Sequence, residues 1–228
     1  MGRLIKGLVL AALLLAGPAA AVPSFWSTYP IPAFVPVTHT YVTGSSATEN
    51  VPVGASQAVI TVDGSGGGAG QGTTNSSAGG GGGAEVIYTC TVTTGDSFTY
   101  TVGVGGTWIS GHNGTNGTDS TVSASGGACG SISLDAGGGG TNATVTGGAG
   151  GLATGTAGST LTNGSTAINV SGSITCSPGA NSAGGGVGGT CSGGVARAPT
   201  APGGGAAGVK SSAVPYDGAA GQVKFAYT

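Results

Sequence analysis

Beyond residue 21, the side chains that could carry acid–base or metal chemistry are few: seven carboxylates, His39, His112 and four cysteines. Asp96, Asp119, Asp135 and Asp217 stand beside small or polar residues in turn-like contexts. Two carboxylates act as a glycosidase pair only when held across a cleft at a defined separation. Their simpler role in such contexts is to accept hydrogen bonds from nearby backbone in Asx turns. Neither a nucleophile elbow nor a phosphate-binding lysine loop occurs in the chain. Residues 64–69, GSGGGA, satisfy the form of a dinucleotide-binding turn, but Gly70-Gln71-Gly72-Thr73-Thr74-Asn75 stands where a helix must begin to hold a pyrophosphate. Residues 114–119, GTNGTD, echo one calcium-binding nonapeptide without the tandem copies that complete its oxygen shell. The sequence therefore predicts a non-enzymatic protein with no cofactor and no metal centre.

Cys90, Cys129, Cys176 and Cys191 form an even set, which in an exported chain predicts two disulfides. Three pairings are open, and proximity alone favours Cys90 with Cys129 and Cys176 with Cys191. The spacing lacks the close pairs of a zinc site, and neither histidine is placed as a fourth ligand.

Contact chemistry is a better match to the residues. Trp108, Ile109 and His112 stand in a polar, glycine-flanked loop, TWISGHNGTNGTD. An exposed indole there suits a saccharide or protein receptor, and Tyr216 beside Pro215 is a further candidate. The alternative is that Trp108 folds back over a small core. Sequons occur at Asn75, Asn113, Asn116, Asn142, Asn163 and Asn169.

These residues must be positioned by an unusual chain. Glycine makes up 52 of 228 residues, and charged residues only 5%. Arg3 and Lys6, the apolar run Leu8–Ala16 and Ala19-Ala20-Ala21 read as a signal peptide over 1–21, leaving no transmembrane anchor after cleavage. Residues 22–37 form a proline and aromatic arm, whose Phe25, Trp26, Tyr29 and Phe34 either pack on the body or serve assembly with neighbouring subunits. Residues 38–228 form the glycine-rich β domain. Three cations against seven carboxylates leave this mature chain acidic, without the electrostatic footprint of a nucleic-acid binder.

Within the domain, residues 57–63 and 222–228 alternate as strands. Residues 85–94 and 97–104 alternate as well, and Thr94-Gly95-Asp96 between them predicts a β-hairpin with facing aromatic surfaces. Glycine runs at 64–72, 79–83, 126–130, 137–140, 147–151, 184–189 and 203–208 are either flexible loops or packed threefold helices of the polyproline II kind. Collagen is excluded because a strict Gly-X-Y period is absent. The expected fold is all-β, with short antiparallel strands, glycine-rich loops or packed polyglycine II-type helices, and no α-helix outside the signal peptide.

The order of these elements resembles the glycine-rich domain of phage tail fibres, phage adhesins and some bacterial surface proteins. The matching stretches are ENVPVGASQAVITVDGSGGGAG (49–70), GGGGGAEVIYTCTVTTGDSFTYTVGVGG (79–106), GTNGTDSTVSASGG (114–127) and DGAAGQVKFAYT (217–228). The resemblance implies packed glycine helices carrying receptor-contacting loops at one tip. The export signal and the cysteines depart from an ordinary tail protein and point to the envelope, the exterior or an exported virion component. Three functions follow in order: an exported structural or adhesive surface protein, a virion receptor-binding adhesin, and an ice-binding protein, the last without regularly spaced threonines.

Overall fold

Period-two alternation builds the base of the molecule. The computed structural model describes residues 33–72, 78–141, 146–170, 175–210 and 215–228. The signal peptide and the arm residues Phe25, Trp26 and Tyr29 lie outside them. In β3 (Gln57–Asp63), Ala58, Ile60 and Val62 turn to one side and are fully buried. In β15 (Gln222–Tyr227), Val223, Phe225 and Tyr227 do the same. With β1 (Val37–Tyr41), β5 (Glu85–Thr91) and β10 (Thr160–Thr162) they form an antiparallel sheet of order β1-β15-β3-β5-β10.

A second antiparallel sheet contains β2 (Ala47–Asn50), β6 (Ser97–Thr101), β7 (Ser120–Ser125), β8 (Ser131–Ala136) and β9 (Ala153–Thr154), in the order β2-β6-β7-β8-β9. Its Phe98, Tyr100, Val122, Ile132 and Leu134 enter the same core as the first sheet. Phe98 stacks on Phe225 with ring centroids 5.4 Å apart, and Tyr41 stacks on Tyr100 at 4.5 Å. Each large side chain buried this way contributes about 1.5–3 kcal/mol, so a few aromatics can hold a sandwich otherwise filled by aliphatic side chains, mostly valine and alanine.

The expected hairpin over 85–104 is not formed. β5 lies between β3 and β10 in one sheet, while β6 lies between β2 and β7 in the other. All seven residues of β5 are already in register with β3, from Gln57↔Thr91 to Asp63↔Glu85. The intervening turn carries the chain from one sheet to the other. Val92 donates its N–H to Ser56 in the first layer, and Asp96 accepts that of Val51 in the second. Turn chemistry fixes a reversal of direction but leaves open which strands become neighbours. Cys90–Cys129 then fastens β5 to the β7–β8 connection, joining the two sheets.

Beyond the sandwich the strands continue as glycine segments that pack against one another. Residues 81 and 84 donate backbone N–H groups to residues 140 and 137, and residues 80 and 83 donate to residues 206 and 203. Partners recurring every third residue are the signature of a threefold helix. Segment 64–69 shares hydrogen bonds with 78–84, 102–107, 114–119, 137–140, 203–207 and 217–221. Segment 78–84 likewise meets 64–69, 137–140, 147–151, 163–167, 178–183 and 203–207. These two columns are therefore each ringed by neighbours, and the closest approaches admit only glycine: a Cβ added at Gly67 would lie 2.0 Å from the Gly140 carbonyl oxygen.

The run 126–130 is an exception to the packed arrangement. It forms the β7–β8 turn, with Gly127 at φ +75° and Gly130 at φ +74°, and Gly130 donates back to Gly127. Here glycine supplies a left-handed backbone, a different property from close packing.

The far end is closed by small sheets. β4 (Gln71–Gly72), β11 (Cys176–Ser177) and β14 (Gly208–Lys210) pair in the order β11-β14-β4. β12 (Cys191–Ser192) pairs with β13 (Val195–Ala196). The Cys176–Cys191 disulfide joins these sheets over Ala196, Ala207 and Val209. Both disulfides are thus the ones that proximity favoured.

Candidate contact tip

The segment 102–107 runs away from the sandwich and 114–119 returns to it, so residues 108–113 lie at the far end of the glycine columns. Thr107 and Thr115 close this loop: Thr115 donates its N–H to the Thr107 carbonyl, and Thr107 donates its own to Thr115 Oγ1, both at 2.8 Å. Ile109 forms a parallel bridge with Gly70. Gln71 donates its N–H to the His112 carbonyl at 3.2 Å, and Ser110 donates its hydroxyl to Gln71 Oε1 at 2.8 Å.

Asp217 brings in the remaining sequence-predicted contact residue. Its Oδ1 accepts the Trp108 backbone N–H at 2.9 Å, which places the chain at Tyr216 beside the chain at Trp108. Trp108, Ile109 and Tyr216 are each 38% exposed, and His112 is exposed. All four predicted contact residues thus meet at one end. Trp108 is thus partly covered and partly open.

Phe34 lies elsewhere. It packs on the sandwich core with its ring over Gly54, which has φ +91° and needs glycine for that turn. This is the end of the sandwich where Thr228 accepts N–H groups from Ser56 and Gln57. The body thus begins at Phe34 on the face opposite the tip.

The four aspartates considered for acid–base work are dispersed. Asp96 accepts N–H groups from Thr93 and Ala128, and these bonds hold its carboxyl below the usual range. Asp119 accepts the N–H of Gly138, and Asp217 serves the tip. Asp119 and Asp135 do line one groove of about 420 Å³, where burial, reinforced by Asp119, raises Asp135. Three of the four are therefore ties to backbone supplied by another turn or segment.

Two buried carboxylates escaped sequence reasoning. Glu49, 3% exposed, accepts hydrogen bonds from the Tyr41 and Tyr227 hydroxyls at 2.5 Å and 2.9 Å, and lies 2.7 Å from His39 Nδ1. This ties β1 and β15 to β2 in the opposite sheet. The carboxylate pushes Tyr41 up to about 12 through its hydrogen bond, with burial adding to the effect. Burial, then the Glu49 hydrogen bond, also raises Tyr227. Asp63, 3% exposed, faces Glu85 in register beneath Gly184. Burial, followed by Glu85, pushes Asp63 up to about 7, opposed by Lys224. The only sequence signal for either was an acidic residue at an inward or covered strand position.

A third feature links the sequons to the fold. Asn116 Oδ1 accepts the N–H of Thr141, Asn163 Oδ1 that of Ala153, and Asn169 Oδ1 that of Gly147. These asparagines cap the outer glycine columns.

A family model described as a glycine-rich domain matches residues 40–228, nearly the whole described body. No curated protein matches the chain.

Proposed function

We propose that this chain, which belongs to the glycine-rich domain family, is an exported, non-enzymatic attachment protein that holds a contact surface away from its base. The observation carrying this reading is the joining of Trp108 to Asp217, which sets two partly exposed aromatic residues, Trp108 and Tyr216, on a braced tip. Aromatic side chains fixed in place present large contact area at low conformational cost. The glycine columns supply a stiff spacer between that tip and the end where Phe34 packs. Two disulfides suit an oxidising compartment, and among the described residues no helix is long and apolar enough to cross a membrane. Residues 1–21 supply the export signal in this reading, and the arm preceding Phe34 provides assembly or surface retention.

The test compares the full chain with Trp108→Ala and Tyr216→Ala in binding to intact cells and isolated envelopes. Expected are native circular dichroism, both disulfides intact, and binding reduced by about tenfold or more, as for truncation of a central aromatic anchor. Unchanged binding by the double variant would remove the tip from the proposal.

A further inference from the structure

Three Asn-Gly steps occur in the chain: Asn113-Gly114, Asn116-Gly117 and Asn163-Gly164. Glycine after asparagine leaves the following backbone nitrogen unshielded by a Cβ, so that nitrogen can reach the asparagine side chain. Two of the steps are locked. Gly117 donates its N–H to Gly139 at 3.0 Å, while Asn116 Oδ1 is held by the N–H of Thr141 at 2.7 Å. Gly164 donates to Gly151 at 3.0 Å, while Asn163 Oδ1 is held by the N–H of Ala153 at 2.9 Å. In both, the nucleophile and the electrophile are each committed to a neighbouring column. Asn113 differs: it is exposed in the tip loop, and among the described residues neither its side chain nor the Gly114 N–H has a hydrogen-bond partner.

We propose that Asn113 is a spontaneous modification site, converted through a succinimide to aspartate and isoaspartate while Asn116 and Asn163 are protected by the glycine lattice. The Gly114 nitrogen bonds to Asn113 Cγ, the Cγ–Nδ2 bond breaks, and the amide proton leaves with the nitrogen as ammonia. Water then opens the ring at either carbonyl, giving a carboxylate with no change of oxidation state. The product places a new negative charge in the loop that carries Trp108 and His112. Its isoaspartyl form also inserts an extra backbone carbon after His112, whose carbonyl holds the Gln71 N–H. The contact tip thereby acquires a chemical clock that the column interior lacks.

The experiment ages the purified full chain, made in a host that attaches no N-glycan, in mildly alkaline buffer. Acid-phase peptic digestion and mass spectrometry then locate each conversion. Asn113 is expected to convert about tenfold faster than Asn116 or Asn163, the factor expected from freeing even one hydrogen-bonded group. In reduced, denatured chain the three rates should converge. Equal rates in the folded chain, or conversion of Asn116 or Asn163 ahead of Asn113, would overturn the proposal. A tip that fails to bind any receptor leaves this chemistry unaffected, so the two readings are tested separately.

Discussion

Asn163 Oδ1 takes the N–H of Ala153 at 2.9 Å, and Asn169 Oδ1, two turns of threefold helix further on, takes that of Gly147 at the same distance. Thr166 lies between them and takes Gly150. The column 163–169 thus offers an acceptor to its neighbour at every turn. Asn116 with Asp119, and Thr115 with Thr118, repeat the device on another column. An outer column has backbone donors with no further column to meet, and these side chains satisfy them.

Removing a cap should therefore be mild and specific. Asn163→Ala should cost about 0.5–1.5 kcal/mol, since one exposed N–H passes to water. Asn163→Asp keeps the acceptor and should cost less. Urea denaturation of the three proteins checks the ranking.

Glycine substitutions should divide sharply by position. A Cβ at Gly81 would lie 1.8 Å from the Ala149 carbonyl oxygen, whereas at Gly126 it would meet nothing within 4 Å. Gly81→Ala should lose more than about 3 kcal/mol through forced separation of columns. Gly126→Ala should be neutral or gain up to about 1 kcal/mol by restricting the unfolded chain. Thermal denaturation of both variants distinguishes packing from flexibility as the reason for glycine.

Glu49→Ala should destabilise the sandwich by about 3–5 kcal/mol, because Tyr41 and Tyr227 of the first sheet lose the acceptor they share in the second. Glu49→Gln preserves shape and removes charge, so Tyr41 should ionise closer to its ordinary 10.0 than to about 12. Ultraviolet titration reads that shift. The folded state retains the Tyr41 proton more tightly than the unfolded state, so this contribution to stability is lost as pH rises from about 10 to about 12.

Asp63 produces a second pH effect in a lower range. Its folded value near 7 exceeds the ordinary 3.8, so between these limits the folded protein binds the extra proton. Stability should then fall as pH rises through that window, with the full contribution present only below it. Asp63→Asn should flatten the slope and be the more stable form above neutral pH. Denaturation across the range tests this, and an unchanged slope in the variant would assign the effect to another group.

The strands were legible where one face is apolar, as at Ile60 and Val62 or Phe225 and Tyr227, because alternation records burial directly. Partner choice was less accessible. Thr94-Gly95-Asp96 specifies a turn, whereas the separation of β5 from β6 follows from contacts with β3 and β7 that no local pattern contains. Glycine runs marked the central columns, but outer columns such as 114–119 and 163–167 carry asparagine and threonine and resemble ordinary loops. Their signal was a three-residue spacing of hydrogen-bond acceptors. At the tip, Trp108 and Tyr216 were visible by residue type, while their union depends on Asp217 reaching across 109 positions of sequence.

β15 lies between β1 and β3, and segment 217–221 packs on the column that follows β3. Residues 222–227 therefore occupy a slot bounded by strands that come much earlier in the chain. During synthesis, the first strands must wait with open edges until residues 217–228 emerge, and closure is necessarily late and non-local. A sheet completed in this way keeps β1 and β3 apart until β15 has entered between them.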